Sequence, residues 1–250
     1  MLSRRQFLGA LGSAAALTLW PRWAWSFGQA SLFELPTLVY DGPWDRRQGA
    51  QARLAWELMK RTSVEAKLEH GQVKLDAPEL FATPVLYMSG DAAFPEWPEA
   101  NARRLRRFLE SGGFLFIDGN LESSAGFDDS VRRELERMFP DRKLATLDAG
   151  HTLFQSFYLL DGRWGRVQRK TYVEGISDDT RAFVVYSQND VGGAWLRDNF
   201  GNWRFPAVPG GEAQREMAFR FGVNVVMYAL CTTYKSDQVH IPFILKRRRR

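Results

Sequence analysis

Three short polar clusters mark the places where this sequence could do chemistry: Ser89-Gly90-Asp91, Asp118-Gly119-Asn120 and Ser187-Gln188-Asn189-Asp190. Each follows an apolar run of strand length. Ligands of open α/β sheets gather beyond the carboxyl ends of the strands, so three parallel strands would bring these clusters to one rim. Asp91 and Asp118 would then offer carboxyls for proton transfer, with His151 as a third member if it reaches them. Asn120, Ser187, Asn189 and Asp190 would hold a ligand by hydrogen bonds. The competing expectation is that Asp, Asn and Gly at strand ends make turns and cap helices.

Other chemistries have little support. His70, His151 and His240 are far apart and the chain has one cysteine, so no zinc set is expected. No phosphate-binding loop, GxGxxG or Gly-x-Ser-x-Gly elbow occurs, and no cofactor is expected. Pro209-Gly210-Gly211-Glu212 opens a helical stretch that either receives an anion or makes a turn. Trp195, Trp203 and Phe205 form an aromatic excursion, either core or a ligand-facing row. Cys231, in an apolar helical stretch, is expected to be a buried, inert thiol.

The elements that must position these residues follow from periodicity. Strands are expected over 37–40, 65–68, 84–88, 114–117, 144–147, 170–173 and 182–186. Helices are expected over 48–61, 98–110, 128–138 and 212–230. In these, Ala52, Ala55, Trp56 and Met59, then Ala102, Leu105, Phe108 and Leu109, fall on single faces. Asp128 or Asp129 is expected to cap the third helix, and Met217, Phe221, Val225 and Tyr228 to line the last. Strands alternating with helices predict an α/β fold with a mostly parallel sheet covered on both faces.

The ends of the chain read differently from its body. Ser3-Arg4-Arg5-Gln6-Phe7-Leu8 matches the twin-arginine export pattern, and a mildly apolar run to Trp20 follows, too short to span a bilayer. Residues 1–30 are therefore expected to be an export signal read through Arg4 and Arg5 by the twin-arginine translocase. That places the protein in the periplasm or outside the cell, membrane-anchored if the signal stays uncut. Residues 31–245 are expected to be one α/β domain, and 246–250 a basic tail. Of the net charge of +5, three units lie at Arg4, Arg5 and Arg22 and five in the tail, so the body is near −3. A nucleic-acid binder would carry its positive charge on the folded body.

Several segments together resemble a known family. Leu86-Tyr87-Met88-Ser89-Gly90-Asp91, Arg107-Phe108-Leu109-Glu110-Ser111-Gly112-Gly113-Phe114-Leu115, Tyr186-Ser187-Gln188-Asn189-Asp190 and Phe221-Gly222-Val223-Asn224-Val225-Val226-Met227-Tyr228 resemble the bacterial domain of unknown function 4159. The resemblance implies a three-layer, flavodoxin-like fold similar to class I glutamine amidotransferases. It also implies envelope partners associated with MoxR-type ATPases and von Willebrand factor A proteins. Amidotransferase activity is not expected, because no cysteine follows a central strand. The favoured expectation is an exported, non-catalytic domain that binds a partner or ligand at the strand-end rim. The alternatives are a periplasmic hydrolase using Asp91, Asp118 and His151, and a carbohydrate-binding module using exposed tryptophans.

Overall fold

The computed structural model describes residues 32–120, 125–161, 164–178 and 180–247. Residues 1–31, which include the expected export signal with Arg4 and Arg5, and tail residues 248–250 lie outside the described residues. In chain order the elements are β1 (Thr37–Val39), α1 (Ala50–Arg61), β2 (Gln72–Lys74), β3 (Val85–Gly90), α2 (Glu99–Glu110), β4 (Phe114–Gly119) and α3 (Ala125–Met138). There follow β5 (Ala145–Thr146), β6 (Glu174–Ser177), β7 (Ala182–Ser187), α4 (Val191–Trp195) and α5 (Gly211–Arg247). Among the described residues, no helix is long and apolar enough to cross a membrane.

The seven strands form one sheet in the order β2-β1-β3-β4-β7-β6-β5. Neighbours from β2 through β7 pair in parallel, and β6 and β5 add an antiparallel edge. The central strands β3, β4 and β7 are buried along their whole length, which is why they read as continuous apolar runs rather than alternating ones. The fold is a three-layer α/β sandwich. On one face, Leu105, Phe108, Val131 and Leu135 from α2 and α3 pack on Leu86, Met88, Leu115 and Ile117. On the other, Tyr87 and Phe116 of the sheet meet Trp195 of α4 and Phe221 of α5, with ring centroids 6.4 and 6.2 Å apart.

Most expected elements appear at their expected places, and four are shifted or extended. The expected strand at 65–68 is displaced to Gln72–Lys74, because Val73 and Leu75 are the side chains that reach the core while Leu68 is exposed. The one expected at 170–173 begins at Glu174, because the backbone N–H groups of Arg169 and Lys170 are held by the Asn189 side chain instead of the sheet. Helix α3 starts at Ala125, so Asp128 lies in its first turn and accepts a hydrogen bond from Arg132. The last helix begins with Gly211 and continues to Arg247.

Candidate functional site

The three polar clusters do meet. β3, β4 and β7 are adjacent and parallel, and their register sets Ser89 opposite Asp118 and Asp118 opposite Ser187. What they form is a closed network. Asp118 is fully buried and accepts hydrogen bonds from the Tyr87 hydroxyl at 2.8 Å and from the backbone N–H groups of Val191 and Gly192 at 2.7 and 2.6 Å. It thereby ties the first turn of α4 to the end of β4. Burial, and then the neighbouring Asp190 carboxylate, push its pKa up to about 6.

Asp190 sits at the sharp turn from β7 into α4, with a left-handed φ of 52°. Aspartate tolerates that conformation better than most residues. In α/β-hydrolases a turn of this kind displays a nucleophile. Here the carboxylate is buried and receives the Nε–H of Arg47 at 2.6 Å and that of Arg166. The Phe205 ring lies 5.1 and 5.3 Å from the two guanidinium carbons and covers the group. Two acids and two arginines thus bring four buried charges of zero sum together.

A loop plugs the same end of the sheet. The Asn189 side chain accepts from the N–H groups of Arg169 and Lys170 and donates to the Lys170 carbonyl. Arg166 and Val167 donate their N–H groups to the carbonyls of Asp190 and Asn189. Gly165 lies so close that a Cβ there would fall 2.1 Å from the Asn189 carbonyl oxygen. From α5, the Gln214 side chain donates to the carbonyls of Gly165, Arg166 and Val208. Ser187 is buried beneath these groups.

The remaining candidates lie elsewhere. Asp91 is partly exposed and pairs with Arg46 at 3.1 Å. Asn120, half-buried, donates its N–H to the Gly90 carbonyl. His151 caps a short 3₁₀ turn through Nδ1, and its ring stands 5.5 Å from that of Tyr228. The Tyr228 hydroxyl accepts from the N–H of Ala182, the first residue of β7. His151 is therefore at the amino end of the sheet, opposite Asp118, and the set Asp91, Asp118 and His151 does not converge.

The aromatic row and the thiol also differ from expectation. Trp195 is buried and donates its indole N–H to the Ala218 carbonyl. Trp203 is half-buried between Arg197 and Arg215, whose guanidinium carbons lie 4.1 and 4.3 Å from its ring centre. No row of exposed indoles results at these positions. At the start of α5, the Gly210 N–H is taken by Gln214. Cys231 is exposed, two residues beyond the buried Ala229 on α5. Among the described residues, no group of three or more His, Cys, Asp or Glu could hold a metal ion.

A cavity of about 60 Å³ lies beside β1 and β3, lined by Thr37, Trp44, Arg47, Gln51, His70 and Ser89 among others. Helix α1 covers the face of the sheet shared by Tyr87 and Phe116, whereas α2 packs on the other, so the chain switches faces between β1 and β3. That switch point is where doubly wound sheets bind ligands. Gln51 donates its amide N–H to the Thr37 hydroxyl at 2.5 Å, yet its carbonyl oxygen has no protein partner. The Ser89 hydroxyl is also without one. Both residues are at least 98% buried, where an unmet polar group costs about 1–3 kcal/mol.

The sequence profile of a domain of unknown function, DUF4159, matches residues 34–230. The chain belongs to the DUF4159 family. No curated protein matches it.

In this DUF4159 domain, sequence reading located the rim but not the open part of it. Thr37 and Gln51 had no distinguishing signal, being one polar residue at a strand start and another on a helix. Arg47 sits in a charged turn after β1, where a solvated side chain was the natural reading. Its partner Asp190 lies 143 positions away.

Proposed function

We propose that this DUF4159 chain is a non-catalytic binding domain that acts outside the cytoplasm, and that its ligand enters the switch-point cavity beside Arg47. The place of that cavity, at the switch point between β1 and β3 with Thr37, Arg47, Gln51, His70 and Ser89 in its lining, carries the reading. The absence of catalysis is supported by the state of the acids. Asp118 and Asp190 are occupied by backbone N–H groups, a tyrosine and two arginines, and His151 stands at the opposite end of the sheet. In this reading Ser187, Asn189 and Asp190 form a closed latch with the pocket at its side.

Export rests on the Ser3-Arg4-Arg5-Gln6-Phe7-Leu8 pattern, with the twin-arginine translocase as the first partner and envelope assemblies as the working context. Two measurements test the proposal. Full-length protein is screened by thermal shift against small polar fragments, beside Gln51→Leu and Ser89→Ala. Hits that vanish in the variants support the cavity, and hits that persist unchanged refute it. A reporter fused behind residues 1–30 should leave the cytoplasm of a bacterium with an intact twin-arginine system, and Arg4→Lys with Arg5→Lys should hold it inside. A reporter that stays inside with the native pair removes the export reading.

A further inference from the structure

We infer that the protein docks on an anionic phospholipid surface through two parts held by α5, the apolar loop 157–159 and the basic segment 241–250. The inference is independent of the cavity. Phe157 and Leu159 are 43% and 86% exposed, although Leu153, Phe154 and Leu160 on either side of them are buried. Asn224 of α5, itself fully buried, fixes this arrangement. Its Oδ1 accepts from the Tyr158 N–H at 2.8 Å, and its Nδ2 donates to the carbonyls of Leu153 and Tyr158 at 3.0 and 2.9 Å. The Ser156 hydroxyl donates to the Asn224 carbonyl at 2.8 Å. A loop pinned in this way cannot fold its two apolar side chains back onto the body. Its backbone also has little conformational freedom left to lose when those side chains enter an apolar layer. The Arg220 guanidinium carbon lies 5.1 Å from the Tyr158 ring centre, so a cation stands beside the apolar tip.

The same helix carries the larger charge. α5 starts at the rim, where Gln214 holds Gly165 and Arg166, and reaches the amino end of the sheet at Tyr228. Asn224 and its loop lie one turn before that point. The helix then continues to Arg247, about 28 Å farther at ~1.5 Å per residue. The sequence there is Ile241-Pro242-Phe243-Ile244-Leu245, followed by Lys246 and the arginines up to Arg250. That apolar run is far short of the ~20 residues that cross a bilayer. Apolar residues next to a basic cluster match a segment that lies in the interface.

Charge and apolar surface together favour lipid over an acidic protein. A basic cluster or a short apolar group alone binds a membrane weakly and reversibly, whereas the two combined hold. An acidic protein would need the charges and leave Phe157 and Leu159 without a role. The body, near −3, is repelled by an anionic surface while 246–250 is drawn to it, so approach is tail first. The cavity lies at the opposite end of the sheet and stays open in the docked protein.

The test is flotation of the purified full chain with vesicles of phosphatidylcholine alone and of phosphatidylcholine mixed equally with phosphatidylglycerol. Salt is kept at about 0.1 M, where the screening length is about 10 Å. Each basic residue near such a surface is worth about fivefold in partition, or ~1 kcal/mol. The variant Arg247→Gln, Arg248→Gln, Arg249→Gln, Arg250→Gln should therefore lose roughly a hundredfold or more on the anionic vesicles. Phe157→Ser with Leu159→Ser should keep the parent's melting temperature and lose about tenfold on the same vesicles. Residues 1–30 are present throughout, so their own membrane affinity cancels in each comparison. Equal partition of the parent onto neutral and anionic vesicles, or no loss in the arginine variant, would overturn the inference. So would a serine pair that binds as well as the parent, since charge alone would then suffice. Binding to soluble polyglutamate as tight as to the vesicles, and indifferent to the serine pair, would assign the basic segment to an acidic protein instead.

Discussion

Replacing Asp190 by asparagine should destabilise the domain by about 3–5 kcal/mol, the range for removing one partner from a buried ion pair. Asparagine accepts the left-handed backbone at φ 52° as readily as aspartate does, so little of the loss comes from strain. What changes is the charge. Arg47 and Arg166, both at most 5% exposed, would face each other across an amide, with Asp118 as the remaining nearby carboxylate. For a body of this size each kcal/mol moves the melting temperature by roughly 2–4 °C, so a fall of roughly 6–20 °C is expected. Urea denaturation would measure it, with an unchanged slope showing that the unfolded state is unaltered. The double variant Arg166→Met, Asp190→Asn should recover a large part of the loss, because the Arg47 charge is then balanced by Asp118. A single-variant loss below about 1 kcal/mol, or no recovery in the double variant, would refute the view that this rim is an electrostatic latch.

Asp118 gives a pH prediction of definite sign. Its folded-state pKa of about 6 exceeds the ordinary aspartate value near 3.9, so the folded protein holds this proton more tightly than the unfolded chain. The stability from it is fully present below about pH 4 and lost as pH rises through 6, a change of about 2–3 kcal/mol. Stability measured from pH 4 to 7 should carry this falling component, and Asp118→Asn should remove it. Gly165→Ala should loosen the plug over β7, since the new methyl would meet the Asn189 carbonyl. Faster hydrogen exchange at Arg166, Val167, Arg169 and Lys170 would show it. Cys231, exposed on α5, should react with a thiol reagent in the native protein without a lag. Reaction that waits for denaturant would contradict its placement.

Much of the architecture was readable because it depends on local pattern. The apolar runs at 85–88 and 114–117, the amphipathic faces of α1, α2 and α3, and the turns after β3 and β4 are dictated by side-chain type and spacing. Elements with weak patterns were misplaced. β2 owes its register to Val73 and Leu75 reaching a core made by other elements, and the start of β6 was shifted by the grip of Asn189 on residues 169 and 170. The α/β alternation also sufficed to bring the three polar strand ends together.

The sequence by itself determined that Asp118 and Asp190 would come near one rim. Tertiary structure decided what they do there. An aspartate reads the same whether it faces solvent, a substrate or two arginines, and its partners Tyr87, Arg47 and Arg166 lie 31, 143 and 24 positions away. His151 was lost to the site for a related reason, since sequence gives no sign of which end of the sheet a loop returns to. The cavity is legible in three dimensions alone. Whether Gln51 Oε1 and Ser89 Oγ find partners depends on the packing of α1 over β1 and β3, and no spacing rule records a hydrogen bond that is not made.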